Sequence, residues 1–207
     1  MEKILKNVFV LNISNTLIKF FLIFLFLFLF LLNSPMRVYS IQIKKIIHDF
    51  SNRSKIGRWM VVNDDVMGGV SRSKISLHQE GYLVFEGKLS TDYGGGFASL
   101  RSNYVNWRIA NSEGIIIKVR GDGKIYQFRC RMGNDLYDLA YRSFFKSKKN
   151  LWQEIRLPFS EFIPTYRGRI IKGMPYLDPK DIRSFGLMIS EKQVGNFRLE
   201  VSWIGVY

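Results

Sequence analysis

The amino-acid sequence predicts an all-β fold, an antiparallel β-sandwich or jelly roll, preceded by an N-terminal hydrophobic signal or anchor helix. Three observations carry this. Short β-rich runs recur from Trp59 to the C-terminus with turn residues between them, as in a sandwich. No amphipathic helix long enough for a crossover lies among them, so parallel strands have no connection to use. And Phe20–Leu32, thirteen residues without a polar side-chain atom, stands apart from all that follows.

In chain order, Lys3, Lys6 and Lys19 precede the apolar run with Glu2 as the only acid, and Asn33-Ser34-Pro35 and Val38-Tyr39-Ser40 follow it. A basic start, a short apolar core and small residues at a cleavage point are the parts of a secretory signal, with Val38 and Ser40 flanking Tyr39 and cleavage before Ile41. The alternative is a retained anchor. A spanning helix needs about 20 apolar residues, so it would draw in Leu17 and Ile18 and let Lys19 snorkel. Either reading makes residues 1–40 a signal peptide or membrane anchor and residues 41–207 one β-sandwich domain outside the cytoplasm.

Within the domain, Ile43, Ile46 and Ile47 fall at helical spacing, which predicts one short helix over Ile43–Phe50. Tyr82–Glu86 reads as strand. Gly114–Arg120 and Lys124–Met132 flank Asp122-Gly123, and an Asp-Gly pair between β-rich runs predicts a hairpin. In its second arm Tyr126, Phe128, Cys130 and Met132 alternate with Gln127, Arg129 and Arg131, so the two sets face opposite ways. Further strands are expected at Ala140–Phe145, Trp152–Leu157, Arg183–Ile189 and Phe197–Tyr207, and Pro158–Asp181 reads as a long irregular connection.

Composition narrows the chemistry. The chain holds 31 Lys plus Arg against 17 Asp plus Glu, and after residue 40 the balance is still 27 to 16. That excess speaks of partners, an anionic membrane surface among them. Nucleic acid is not expected, because the basic residues are scattered apart from Lys146, Lys148 and Lys149 and the domain is read as exported. A lone Cys130 excludes an intramolecular disulfide and a cysteine zinc site. With only His48 and His78, no multi-histidine metal centre is available, and no metal or other cofactor is expected. Cys130, on an apolar strand face, is expected in the core.

Two glycine-rich segments are the candidate sites. Asn63, Asp64 and Asp65 precede Met67, Gly68, Gly69 and Ser71. Their oxygens could hold a hard cation, but the alternate spacing of a calcium loop is missing, and a structural turn is the plainer reading. Gly94–Gly96 lacks the Gly-Lys-Ser/Thr and the helix of a phosphate-binding loop; close backbone approach explains it better. No catalytic set stands out: His78 has no nucleophile elbow, and adjacent Asp64 and Asp65 would point apart. The Arg120-Gly121-Asp122 tripeptide is set aside as part of the turn. Arg101, Gln127, Arg129 and Arg131 are candidate ligand-binding residues. The arginine side of their strand is either a solvated sheet face or a groove suited to carboxylate, phosphate or acidic sugar.

Together these segments resemble the complex I intermediate-associated protein 30 family. The resemblance is carried by Trp59, Asn63–Gly69 with Ser71, Phe85 and Gly87, and Gly95-Gly96-Phe97-Ala98-Ser99 with Arg101. It continues through Arg120-Gly121-Asp122-Gly123 with Tyr126, Trp152, Leu157-Pro158-Phe159 with Phe162, Arg167-Gly168-Arg169, Gly186, and Gly195 with Phe197, Leu199 and Glu200. It spans residues 55–207 and departs at Asp65, where the family more often carries glycine. The resemblance implies a galactose-binding-like jelly roll, no catalytic residues, and a role like that of mitochondrial complex I assembly factors, at odds with an export signal. The expected function is a non-catalytic binding or assembly-factor-like domain with a protein partner or membrane-complex subunits. The alternative is a carbohydrate-binding module whose polysaccharide would stack on Tyr104, Trp107 or Tyr137.

Overall fold

A computed structural model describes residues 19–27, 42–51, 59–132, 139–190 and 192–207, and the chain divides into two units, Met1–Ser40 and Ile41–Tyr207. In the first unit residues 19–27 carry helical backbone with exposed side chains. No helix among the described residues is long and apolar enough to cross a membrane. The expected signal or anchor helix is thus not shown, and Val38 and Ser40 lie outside the described residues.

The second unit is built of strands: β1 (Lys45–Asp49), β2 (Trp59–Asn63), β3 (Arg72–Leu77), β4 (Leu83–Leu89), β5 (Ala98–Ser102), β6 (Gly114–Gly121), β7 (Ile125–Met132), β8 (Ala140–Lys146), β9 (Gln153–Pro158), β10 (Ile163–Tyr166), β11 (Arg169–Ile170), β12 (Ile182–Ile189) and β13 (Gly195–Val206). All strand pairings are antiparallel. They form a six-stranded sheet in the order β3-β4-β13-β6-β9 with β1 alongside β13, and a seven-stranded sheet in the order β11-β10-β8-β7-β12-β5-β2.

Period-two alternation explains where the core sits. Phe197, Leu199 and Val201 of β13 face inward with Phe85, Ile117 and Val119, while Leu100, Phe128, Cys130, Phe185 and Leu187 come from the other sheet. Each large apolar side chain so buried contributes about 1.5–3 kcal/mol. Cys130 is fully buried, and burial pushes its thiol well above the ordinary value, with Arg131 opposing only in part.

Three local expectations are corrected. Ile43–Phe50 is no helix: Lys45–Asp49 is strand β1, with Lys45 opposite Val206 and Asp49 opposite Trp203. Strand β13 outruns β4, whose pairing ends at Val201–Leu83, and the exposed edge beyond that point takes up β1. Backbone pairing there outweighs a weak helical spacing. Gly121-Asp122-Gly123 joins no hairpin either, since β6 lies in the six-stranded sheet and β7 in the other. Asp122 holds this crossing: Oδ1 accepts from the Lys124 N–H (3.0 Å) and the Tyr126 hydroxyl (3.1 Å), and Oδ2 from the Arg198 N–H (3.0 Å). Finally, the segment read as an irregular connection contains β10 and β11. Their two-residue turn puts Arg167 at φ +46° and Gly168 at φ +78°, the paired left-handed angles of a tight hairpin.

Candidate functional site

Asp64 ties the two glycine-rich segments together. It opens a short 3-10 turn, Asp64–Met67, and is fully buried. Its Oδ1 accepts from the Ser71 N–H (2.9 Å); Oδ2 accepts from the Ser71 hydroxyl (2.5 Å), the Gly96 N–H (2.7 Å) and the Phe97 N–H (3.2 Å). Burial alone would raise this carboxyl, but the hydrogen bonds from Ser71, Gly96 and Phe97 outweigh it and hold Asp64 below the usual carboxylate range. A Cβ on Gly69 would come within 2.4 Å of Asp64 Cγ, and one on Gly95 within 2.6 Å of Oδ2. The carboxylate is thus clasped between two backbones, and Gly68 (φ +89°) closes the turn.

The neighbouring oxygens are used in the same way. Asn63 Oδ1 accepts from the Ser73 hydroxyl (2.6 Å), and Asp65 Oδ1 from the Val66 N–H (3.1 Å). Among the described residues no group of three or more His, Cys, Asp or Glu could hold a metal ion. The loop is a brace, and it forms one wall of a cleft.

That cleft, of about 600 Å³, lies on the outer face of the seven-stranded sheet. Val66, Met67 and Gly94–Phe97 form one wall, and the Arg167-Gly168 turn the opposite one. Arg101, Gln127, Arg129, Arg131 and Arg142 supply much of its floor. The register sets three of these arginines in one line. Met60 opposes Arg101, Arg101 opposes Gly186, Gly186 opposes Arg129, Arg129 opposes Arg142, and Arg142 opposes Ile163. Directly opposed residues of an antiparallel sheet share a face, so this row crosses six strands.

Local bonds place the side chains. Arg129, only 6% exposed, donates from Nη1 to Met188 Sδ (3.0 Å) and Gln127 Oε1 (3.4 Å), and from Nη2 to Thr165 Oγ1 (3.4 Å). Gln127 is turned for this by donating Nε2 to Ser190 Oγ (2.8 Å). Gly186 makes room: a Cβ there would lie 3.3 Å from Arg131 Nη1 and 2.9 Å from the Leu100 carbonyl oxygen.

The outer face of the other sheet treats charge differently. Lys74, Glu86 and Arg198 are register neighbours on β3, β4 and β13, and Glu200 opposes Arg120. Lys74 pairs with Glu86 at 3.1 Å, Arg198 with Glu200 at 2.8 Å, and close pairs also join Arg198 to Glu86 and Arg120 to Glu200. Signs alternate there. In the cleft row Arg129 sits directly opposite Arg142, and Gly186 stands between Arg129 and Arg101.

Of the candidate residues, Arg101, Gln127, Arg129 and Arg131 come together in the cleft floor, whereas Asn63, Asp64 and Asp65 stand behind its wall. Arg129 and Arg131, 6% and 4% exposed, lie in a recess rather than on a solvated face. Sequence reasoning missed Arg142 and treated Arg167 only as part of a family motif. The alternation of Arg142 and Phe144 with buried Tyr141, Ser143 and Phe145 was the available signal. Of the aromatic platforms, Trp107 is buried in the core, Tyr104 lies outside the cleft lining, and Tyr137 is outside the described residues. No Trp or Tyr is among the described lining residues.

The sequence pattern of the family described as Complex I intermediate-associated protein 30 matches residues 48–201. The mouse protein named "Complex I intermediate-associated protein 30, mitochondrial" is 26% identical over 198 residues, covering 84% of this chain and 59% of its own length. The Caenorhabditis elegans protein named "Probable complex I intermediate-associated protein 30, mitochondrial" is 27% identical over 186 residues, covering 79% and 54%. The chain therefore spans little more than half the length of these relatives. Among solved structures, a family 11 carbohydrate-binding module from Clostridium thermocellum, in complex with a beta-1,3-1,4-mixed-linked tetrasaccharide, aligns with a TM-score of 0.59 at 18% identity, covering 81% of this chain and 96% of that one. That likeness concerns the fold. The relatives' names correct the expectation that the domain is exported or anchored outside the cytoplasm, since both are named mitochondrial.

Proposed function

The chain belongs to the complex I intermediate-associated protein 30 family, and from that premise we propose that it is a non-catalytic assembly factor for a respiratory membrane complex. Its client is held in the arginine-floored cleft. The observation that supports this reading is the cleft itself, where the register brings Arg101, Arg129 and Arg142 to one face of the sheet beside apolar Val66, Met67 and Phe97. The mitochondrial names of the relatives support a place of work beside that complex.

Non-catalytic binding suits the cleft chemistry. Guanidinium groups stay charged, make forked hydrogen bonds and do not exchange protons at ordinary pH, so they hold a partner rather than transform it. The second reading, a polysaccharide-binding module, has the fold likeness in its favour. Against it stands the lining, which offers guanidiniums where a neutral sugar wants Trp or Tyr faces. Affinity co-purification of the full chain from its own membranes tests the proposal. Subunits or partly built intermediates of the respiratory complex are the expected catch; polysaccharide in their place would favour the second reading.

A further inference from the structure

Three connections at one end of the sandwich, those after β6, β8 and β12, gather lysines and apolar tips. Gly121 opposes Leu199, Ile125 opposes Lys146, Val119 opposes Gln153 and Met188 opposes Gln127, so the turns 122–124, 147–152 and 190–194 meet there. Hydrogen bonds tie them into one platform. The Gly121 N–H donates to the Lys148 carbonyl (3.2 Å) and the Asn150 N–H to the Gly121 carbonyl (2.9 Å). Gln193 grips Ile125 twice, accepting its N–H at Oε1 (2.9 Å) and donating Nε2 to its carbonyl (2.7 Å), and Lys124 Nζ donates to the Asn196 carbonyl (2.7 Å). From this base Ile125, Leu151 and Val194 stand 42%, 55% and 56% exposed, among exposed Lys146, Lys148, Lys149 and Lys192.

We infer that this end docks on an anionic bilayer surface, with the four lysines over lipid headgroups and the three aliphatic tips in the interface. The contact is superficial and needs no span. It goes beyond the client reading and does not involve the cleft arginines. Among the described residues none of the four lysines is in an ion pair. The acids of these turns are Asp122 and Glu191, and Asp122 spends both oxygens on the Lys124 and Arg198 N–H groups and the Tyr126 hydroxyl. Each lysine near an anionic leaflet strengthens binding about five-fold. Ammoniums are hydrated point charges suited to a diffuse headgroup layer, and no arginine lies in these turns. The apolar tips single out the bilayer: a nucleic-acid backbone would leave them in water, whereas the interface buries them. Exposed Val70 and Tyr93 add further tips on the two remaining turns of this end, where Ala98 opposes Ile189 and Leu89 opposes Gly195.

The test attaches a polarity-sensitive fluorophore to the full chain at Leu151→Cys, buried Cys130 being out of reach of the label, and adds phosphatidylcholine vesicles with or without phosphatidylserine. A blue shift is expected only with phosphatidylserine, weakened by added salt. None is expected from the same label at Asn111→Cys, in the connection before β6 at the other end of the domain. This local readout separates the contact from any made by residues 1–40. Combined Lys146→Gln, Lys148→Gln and Lys149→Gln, at exposed positions and checked for a native unfolding midpoint, should raise the lipid needed for half the shift roughly a hundred-fold. Lys44→Gln, exposed beside Asn111, should change nothing. No shift at Leu151, an equal shift without phosphatidylserine, an equal shift at Asn111, or indifference to the triple substitution overturns the inference. So does a lysine-dependent response to poly-glutamate or to an oligonucleotide with none to vesicles. Respiratory subunits recovered without a vesicle signal remove the bilayer contact and leave the assembly reading standing. A lysine-dependent vesicle signal without those subunits supports the contact and removes the assembly reading.

Discussion

Asp64 is the residue on which the cleft wall depends. Its carboxylate accepts from Ser71, Gly96 and Phe97 while buried, so Asp64→Ala strands several buried donors. The expected loss is about 1–3 kcal/mol, read from the denaturant midpoint; an unchanged midpoint would remove the brace. The pH dependence has a definite sign. A carboxyl held below its ordinary value in the folded state stabilises above that value, and the contribution disappears as pH falls through the lowered one. The acid limb of the stability curve should therefore be shallower in Asp64→Asn. Gly68→Ala should cost about 1 kcal/mol through its left-handed backbone, its Cβ meeting only open space. Gly69→Ala should cost more, because its Cβ runs into Asp64. Both glycine-rich segments were legible in the sequence. Their joining was not, because the bond from Gly96 to Asp64 spans 32 residues and no local pattern records it.

At the scale of elements, β-rich composition between turn residues located β4, β6, β8, β9 and β12 to within a few residues, and period-two alternation located β7 and β13, because a strand with one apolar face writes its period into the chain. Pairing is written less plainly. The hairpin inferred from Asp122-Gly123 failed because the same two residues also suit a turn between sheets; the deciding contact, Asp122 to the Arg198 N–H, comes from a strand far along the chain. Asp122→Ala should lower stability by about 1–3 kcal/mol and loosen Tyr126. Burial first, and then Asp122, push the Tyr126 phenol far above its ordinary value. The neutral phenol thus stabilises the fold below that ordinary value, about 10, and the contribution erodes as pH rises beyond it. In an alkaline absorbance titration Tyr126 should stay silent until the protein unfolds, and ionisation near pH 10 in the folded protein would contradict its burial. The arginine row belongs to this scale too. Alternation gave the outward direction of Arg129 and Arg131, but lining up Arg101, Arg129 and Arg142 required the register of four strands from distant parts of the chain.

Across the whole molecule, a chain with formal charge +14 spends its charge unevenly. The six-stranded sheet alternates signs on its outer face, and burial, which would raise Glu86, is outweighed there by Lys74 and Arg198. The seven-stranded sheet gathers arginines around one recess. Composition announced the excess but not its place, since only the assembled sheets bring arginines from distant parts of the chain to one recess. This recess, rather than the outer face of the six-stranded sheet, is the surface we assign to the client. Site-specific photo-crosslinking tests it most directly, with the reactive group placed at Val66 on the cleft rim or at Lys74 on the opposite sheet. Adducts with respiratory-complex subunits are expected from Val66 and none from Lys74; adducts from Lys74 with a silent rim would move the client to the other sheet.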